Sequence, residues 1–429
     1  MLVWPQKNAL ILKSRAPEKI LNVIPKAKHF TIKGHSVVAV PHRTEETTLL
    51  RNLGYDAPAP IRSYYSWPGR FTPFHAQREA AAFLSMNRRA FNLSELGTGK
   101  SLASLWAYDY LRGIGQMNKC LVISPLSTLE RTWADEIFQH FPHLTYTVLH
   151  GSKDKRVKLL KEDFDVYIIN HDGVGIIEPH LKDRTDIDLV IVDEIAQCAR
   201  NAGTTRWRKI NTVVNKQKEP RACWGMSGTP TPNGPTDAWA QCRLVVPDKV
   251  PPYFNRFKGT VMKQLSQFQW VAKAGATEIV RDVMQPSVRF TRDECLDLPP
   301  LMYETRQVPL TKEQGKAYKE MLTKLRIQAE EGDITAVNEA VKMGKLVQIA
   351  CGVVYASDGT EVTVPATHRI EETRSICHSA QGKVIVFVPY VSSVNMVAKE
   401  LSKDFTVEII HGGVKKDERD RIFAAFQKA

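Results

Sequence analysis

The sequence predicts an α/β protein built on a parallel sheet, and three observations carry that reading. Short apolar runs alternate with helical stretches: LVISPLSTLERTWADEI at 121–137, VYIINHDGV at 166–174, LVIVDEIA at 189–196 and GMSGTPTPN at 225–233. LVIVDE is apolar at successive positions before its two carboxylates, as in a strand covered on both faces. Upstream, Ala90-Phe91-Asn92-Leu93 is a short strand signal that runs through the glycine loop ELGTGKS into SLASLWAYDYL, where Leu102, Leu105, Trp106 and Tyr110 share one helical face. Strand, glycine loop and helix in that order form the context of a phosphate-binding loop.

The elements follow from the N-terminus. Residues 1–66 read as a small α+β module: NALILKS, HFTIKG and SVVAVPH as strands and TEETTLLRNLGY as a short helix. Nine Lys/Arg against four Asp/Glu in residues 1–60 make the module basic, and Pro58, Pro60 and Pro68 mark a linker after it. This module either touches a polyanion or packs on the first lobe, residues 67–245, which carries the β-α alternation. Residues 246–368 read as a linker and helical protrusion; Thr311 and Gln314 match a capping box, so a long helix is expected to start there. From 369 to 429 a second β-α pattern begins, with KVIVFVPY and FTVEIIH as strands and VSSVNMVAKELSK and KKDERDRIFAAF as helices. Two such units bury too little apolar surface for a complete lobe, and the last strand would be an unpaired edge. The expectation is a C-terminally incomplete second lobe, from a fragment or a chain completed by another subunit.

With 429 residues the chain suits two or three domains. No apolar run is long enough to span a bilayer, and the first residues lack the pattern of a secretory leader. Seven scattered cysteines with no C-x-x-C predict a reduced, cytoplasmic protein without a zinc site. The net charge of +13 points to a polyanionic partner, nucleic acid first, although charge also serves solubility.

The phosphate loop supplies the candidate chemistry. Gly97 and Gly99 let the backbone turn and expose N–H groups, with Thr98 between them; Lys100 reaches the outer phosphates and the Ser101 hydroxyl suits Mg2+. Ser94 occupies a position where the usual loop pattern has glycine. By itself the loop is also compatible with a glycine turn capping a helix. The second half of the site is Asp193-Glu194 at the end of its apolar strand. Asp193 is placed to hold Mg2+ through water, and Glu194 to orient and deprotonate an attacking water. Other signals have plainer readings beside them. Ser127 and Glu130 match a capping box. Trp133 lies with Leu129 and Ile137 on one helical face, which predicts core packing. His171 beside Asp172 is compatible with a simple loop pair, and Gln77 with an exposed helix position.

In order along the chain, FTPFHAQREAAAFL (71–84), the loop, the 121–137 run, VYIINHDGV, LVIVDEIA and SGTP-x-x-N resemble the first RecA-like lobe of a superfamily 2 DEAD/DEAH-box helicase. Together with LDLPP (296–300) and VPLTKEQ (308–314) they resemble the Swi/Snf-like branch, especially those of tailed bacteriophages, over residues 67 to 429. In that family the loop is the shorter G-x-G-K-[ST] preceded by Asp-Glu. Ser94 is therefore tolerated, and Glu95 matches. The resemblance implies ATP and Mg2+ as ligands. It implies that Gln77 reads adenine and that Ser227 and Thr229 couple nucleotide state to DNA. It also implies that Ser124, Ser127, Thr128, Asn170 and His171 face the nucleic-acid backbone. Ala196 departs from the family, which places histidine there. No arginine matches the family's arginine-finger motif.

The expected function is an ATP-dependent translocase or helicase acting on duplex DNA with little sequence specificity; a nucleotide-dependent DNA-binding module without turnover is the alternative.

Overall fold

The computed structural model describes residues 1–32, 34–182, 184–267, 269–295, 301–330, 336–355 and 360–428. The LDLPP segment lies outside the described residues. The chain divides into two units, Met1–Pro299 and Pro300–Ala429.

The first unit opens with four strands, β1 (Leu2–Trp4), β2 (Ala9–Lys13), β3 (Lys28–Ile32) and β4 (His35–Pro41), antiparallel in the order β1-β2-β4-β3. Along β2, Leu10 and Leu12 are buried while Lys13 is exposed, the two-residue period of a sheet covered on one face. Leu10, Leu12, Val38 and Val40 form a core with Ile20, from the helix Pro17–Val23, and Leu50, from the helix Thr44–Asn52. The sequence reading missed β1 and the helix Pro17–Val23. The first is three residues long, and the second is a single short helix opened by a proline at its first turn. The prolines do not leave a free linker. Ala59 and Ile61 are buried in the same core as Leu105 and Trp106, and the carbonyl of Pro68 accepts from Trp106 Nε1 at 2.8 Å.

The main sheet has seven strands: β5 (Arg89–Asn92), β6 (Lys119–Ser124), β7 (Tyr146–Val148), β8 (Val166–Asn170), β9 (Ile187–Val192), β10 (Ala222–Met226) and a two-residue β13 (Ser287–Val288). All pairs are parallel, in the order β13-β5-β10-β9-β6-β8-β7. Leu121, Ile123, Val190 and Val192 enter one core; Cys120, Val122, Leu189 and Ile191 enter the other. Successive residues of a strand point to opposite faces, so an unbroken apolar run is what a sheet with two cores requires. The helix Lys100–Gly113 is buried from Leu102 to Leu111, well beyond the single face read from the sequence.

After β10 the chain forms the helices Ala238–Val245, Phe254–Val261 and Ala276–Val283, and a hairpin of β11 (Met262–Gln264) and β12 (Trp270–Ala272), then returns to the sheet edge as β13. The reading of 246–368 as a linker and helical protrusion lacked the hairpin and β13, which are too short to show a period.

In the second unit the helix Lys312–Glu330 begins as expected. Thr311 N–H donates to Gln314 Oε1 and Gln314 N–H to Thr311 Oγ1, both at 3.1 Å. The helix Ala336–Ala350 is followed by a hairpin of β14 (Val353–Tyr355) and β15 (Glu361–Thr363), then by the helices Thr367–Ser379, Val391–Leu401 and Lys416–Gln427. The two strands expected at 383–390 and 405–411 are not formed: both segments are irregular, and Ile385 and Phe387 are exposed. Strand propensity becomes a strand only where a ladder exists to join, and these runs find none among the described residues. Among those residues, no helix is long and apolar enough to cross a membrane.

Candidate nucleotide site

The sheet order places the site. β5 and β6, consecutive in the chain, are separated by β10 and β9, and loops leaving the carboxyl ends of such strands diverge around a crevice, where ligands of parallel α/β sheets bind. The loop 93–99 leaves β5, the SGTP loop leaves β10, Asp193-Glu194 follow β9, and Ser124 and Asn170 end β6 and β8.

Within the phosphate loop, Gly97 and Gly99 have φ of +85° and +76°, a left-handed backbone that glycine adopts without penalty. Gly99 has a second constraint, since a Cβ there would lie 2.0 Å from Gln77 Nε2. Gln77 is buried on the first turn of the helix His75–Ser85, and its Oε1 accepts from Phe74 N–H at 2.9 Å. Its amide therefore lies on the loop, not at an exposed helix position.

Lys100 is buried and donates through Nζ to the carbonyl of Glu95 at 3.0 Å, a carbonyl also taken by Thr98 Oγ1 at 2.8 Å. Burial pulls the lysine below its usual pKa, against the opposing charges of Glu194, Asp193 and Glu95. Ser101 is half-buried at the start of its helix, whose N-terminus favours anions.

Ser94 has a structural answer. Its hydroxyl accepts from Phe290 N–H at 3.1 Å, beside a backbone bond from Glu95 N–H to the Phe290 carbonyl at 2.9 Å. The Glu95 carboxylate holds the same returning segment: Arg289 Nη2 lies 3.3 Å from Oε1, and Arg292 N–H donates to Oε2 at 3.2 Å. The loop is thus clamped by residues nearly two hundred positions away, and neither arginine was singled out in the sequence.

Asp193 is buried and accepts three hydrogen bonds. Its Oδ2 accepts from Ser124 Oγ and Trp133 Nε1, both at 3.1 Å, and its Oδ1 accepts from Glu194 N–H at 2.9 Å. Oδ1 keeps acceptor capacity. With the Ser101 hydroxyl it offers the hard-oxygen donors that suit Mg2+, so the residues present fit the ion. Glu194 has φ of +46°, costly for a residue with a Cβ and characteristic of functional positions. Burial, then the charge of Asp193, raise its pKa above the ordinary glutamate range, while Lys100 opposes. Trp133 is core, as its helical face predicted, but its N–H also orients the acid.

The residues expected to face nucleic acid divide. Ser124 is fully buried between Asp193 and Thr128 Oγ1, the latter at 2.5 Å. His171 is buried too, its Nε2 donating to the Asp193 carbonyl at 2.8 Å; a carbonyl only accepts, so the proton sits on Nε2. Burial also lowers the pKa of this ring. Both side chains bond to Asp193, and His171 is therefore more than a loop pair with Asp172. Ser127 is exposed, and Thr128 and Asn170 are half-buried, with Asn170 Oδ1 accepting from Arg156 Nη1 at 3.0 Å. Ser127 and Glu130, read as a capping box, lie within a run of non-α turns. A 3-10 turn (Leu126–Thr128) and a π-helix (Leu129–Ala134) come first, with Pro125 and Thr128 at their N-cap positions.

Ser227 is fully buried, and its hydroxyl accepts from Thr229 N–H at 3.2 Å. The neighbouring Gly228 packs against the phosphate loop: a Cβ there would lie 3.2 Å from Leu96 N. Ala196 is buried without a polar side-chain atom to offer the SGTP loop.

A parallel sheet with a glycine loop, a buried lysine and an acidic pair at its carboxyl edge defines a phosphate-loop nucleotide hydrolase. The SNF2-related domain matches residues 79–351, more than half of the chain, and the helicase conserved C-terminal domain matches 368–429. The chain belongs to the SNF2-related family, and it is an enzyme of the ATPase/helicase class. It is 26% identical over 331 residues to putative protein p41 of Acyrthosiphon pisum secondary endosymbiont phage 1, covering 74% of this chain and 71% of that one. It is 22% identical over 363 residues to the putative ATP-dependent helicase/translocase YwqA of Bacillus subtilis, covering 78% of this chain and 37% of that one. Among solved structures, the Sulfolobus solfataricus SWI2/SNF2 ATPase core in complex with dsDNA is 20% identical with a TM-score of 0.48, covering 85% of this chain and 77% of that one.

Proposed function

We propose that the protein is a DNA translocase or helicase that hydrolyses ATP with Mg2+ to move along duplex DNA. The observation that carries the proposal is the convergence of Lys100, Asp193 and Glu194 at the edge of one sheet, with the SGTP loop packed on the phosphate loop between them. In this reading Gln77 contacts adenine, and the N–H groups of Gly97, Thr98 and Gly99 cradle phosphate. Lys100 exchanges the Glu95 carbonyl for the outer phosphates. Ser101 and Asp193 hold Mg2+, which when bound neutralises charge on the phosphates. Glu194 takes the proton of the attacking water.

Loss of the terminal phosphate would alter the loop at Glu95–Leu96, which Gly228 touches, so the SGTP loop is the route from hydrolysis to Ser227 and Thr229. A second route runs from Asp193 through Ser124 to Thr128 and the exposed Ser127. Its DNA contacts go to phosphates, so binding is expected to depend on salt and little on sequence.

The domain division at 66, 245 and 368 belongs to the same proposal, with the 67–245 lobe holding the nucleotide. ATP hydrolysis measured with and without duplex DNA tests it. Turnover stimulated by DNA is expected. Turnover indifferent to DNA would remove the motor reading and leave a plain ATPase.

A further inference from the structure

Within Met1–Pro299, a cavity of about 1050 Å3 lies between the small N-terminal sheet and the C-terminal turn of the helix Lys100–Gly113. Its volume reaches the top of the usual small-ligand range of roughly 300–1,000 Å3. Three cations on its walls come from separate segments. Lys7 is on the turn before β2, Lys28 opens β3, and Arg43 precedes the helix Thr44–Asn52. All three are exposed and form no ion pair among the described residues.

The remaining wall charges are largely matched. Arg112 pairs with Asp165, and Asp109 is taken by Tyr65 OH at 2.5 Å and His143 Nε2 at 2.6 Å. Lys26 lies 4.0 Å from the buried Glu46. His42 is held through both ring nitrogens, by Tyr64 OH and the Pro58 carbonyl, and burial lowers its pKa. Among the described residues, Glu45 is the one acidic wall residue outside any ion pair or hydrogen bond, against three free cations.

A site for one small anion would bury a cation, and these three are all exposed. Cations spread along a groove suit a polymer with repeated phosphates. The wall tyrosines make edge contacts, Tyr65 with Tyr110 and Tyr64 with His42, so the exposed cations are the contacts the groove offers first. That chemistry is backbone contact without sequence reading.

We propose that this groove is an accessory anchor for the phosphodiester backbone of DNA, with Lys7, Lys28 and Arg43 as phosphate contacts. The inference rests on the DNA reading above and adds a second surface to it. The groove sits at the far end of a 14-residue helix whose first residue is Lys100, roughly 20 Å away at 1.5 Å per residue. Changes at its mouth should therefore spare the nucleotide site.

The test is duplex binding by the full chain across a salt series, comparing the native protein with Lys7→Glu/Lys28→Glu/Arg43→Glu and the milder Lys7→Gln/Lys28→Gln/Arg43→Gln. Affinity for a labelled ATP analogue is measured in parallel. The expected result is at least tenfold weaker DNA binding by the charge-reversed protein at moderate salt, a smaller loss for the glutamine variant, and unchanged analogue affinity. The slope of log affinity against log salt should fall by about 0.9 for each phosphate no longer neutralised, up to about 3 in all. Equal affinity and slope in all three proteins would overturn the groove while leaving the DNA reading intact. Weaker binding at an unchanged slope would also overturn it, since the loss would not be electrostatic. A native chain that binds no duplex would overturn both readings.

Discussion

Replacing Gly99 with alanine attacks the nucleotide loop with one methyl group. Two costs are visible. At φ of +76° an L-residue pays the left-handed penalty, about 1–2 kcal/mol. The new Cβ would also sit 2.0 Å from Gln77 Nε2 and 3.0 Å from its Cδ. Gln77 must then swing away, although it is buried and its Oε1 is held by Phe74 N–H. Losing that hydrogen bond costs about 0.5–1.5 kcal/mol. Together these amount to about 1.5–3.5 kcal/mol against the loop conformation that precedes Lys100. If that conformation is the one that binds phosphate, nucleotide affinity should fall by roughly one to two and a half decades, at about 1.4 kcal/mol per tenfold. The assay is titration of a fluorescent ATP analogue, with urea denaturation alongside to read global stability. The double variant Gly99→Ala/Gln77→Ala separates the costs: it removes the collision but not the backbone strain, so the two changes should be non-additive. Unchanged affinity and stability in Gly99→Ala would refute the reasoning, and strict additivity would refute the part assigned to Gln77.

The other predictions concern the charged pair and its support. Lys100→Ala should abolish binding of the ATP analogue, because it removes the buried cation at the loop; unaltered titration curves would displace the site. Glu194→Gln should keep analogue binding and stop hydrolysis, as measured by phosphate release. The same variant bears on stability. Burial raises the folded pKa of Glu194, so its ionised form costs stability above that pKa, and the cost fades as pH falls through it. Glu194→Gln should therefore raise Tm near pH 8 and change it little near about pH 4, where the unfolded carboxyl is protonated as well. In the native enzyme, kcat/KM against pH should rise on an acid limb above the ordinary glutamate range. It should fall on an alkaline limb below the ordinary lysine range, since Lys100 is lowered by burial. A profile flat across both limbs would mean that neither group titrates in the free enzyme. Trp133→Phe removes one of two donors to Asp193 Oδ2, a bond to a charged acceptor worth about 1.5–3 kcal/mol. Stability should drop by about that much, with turnover reduced more than nucleotide binding; wild-type melting and turnover would show that Ser124 alone suffices.

Features that depend on neighbours in the chain were legible in the residues alone. The glycines of GTGKS announce left-handed turns because φ is a local property, and both are found there. The Thr311–Gln314 box closes as read because its partners are three residues apart. LVIVDE reads as a strand with two covered faces because the pleat alternates whatever covers it. The pairings that close long loops came instead from the three-dimensional fold. Nothing within 93–99 announces that Ser94 and Glu95 grip residues 289–292, or within 129–137 that Trp133 reaches Asp193. The local pattern at Ser124 and His171 left the direction of both side chains open, and the fold turned both toward Asp193. At KVIVFVPY the propensity for a strand was legible, but a strand also needs a neighbour, and neighbours are set by the fold as a whole.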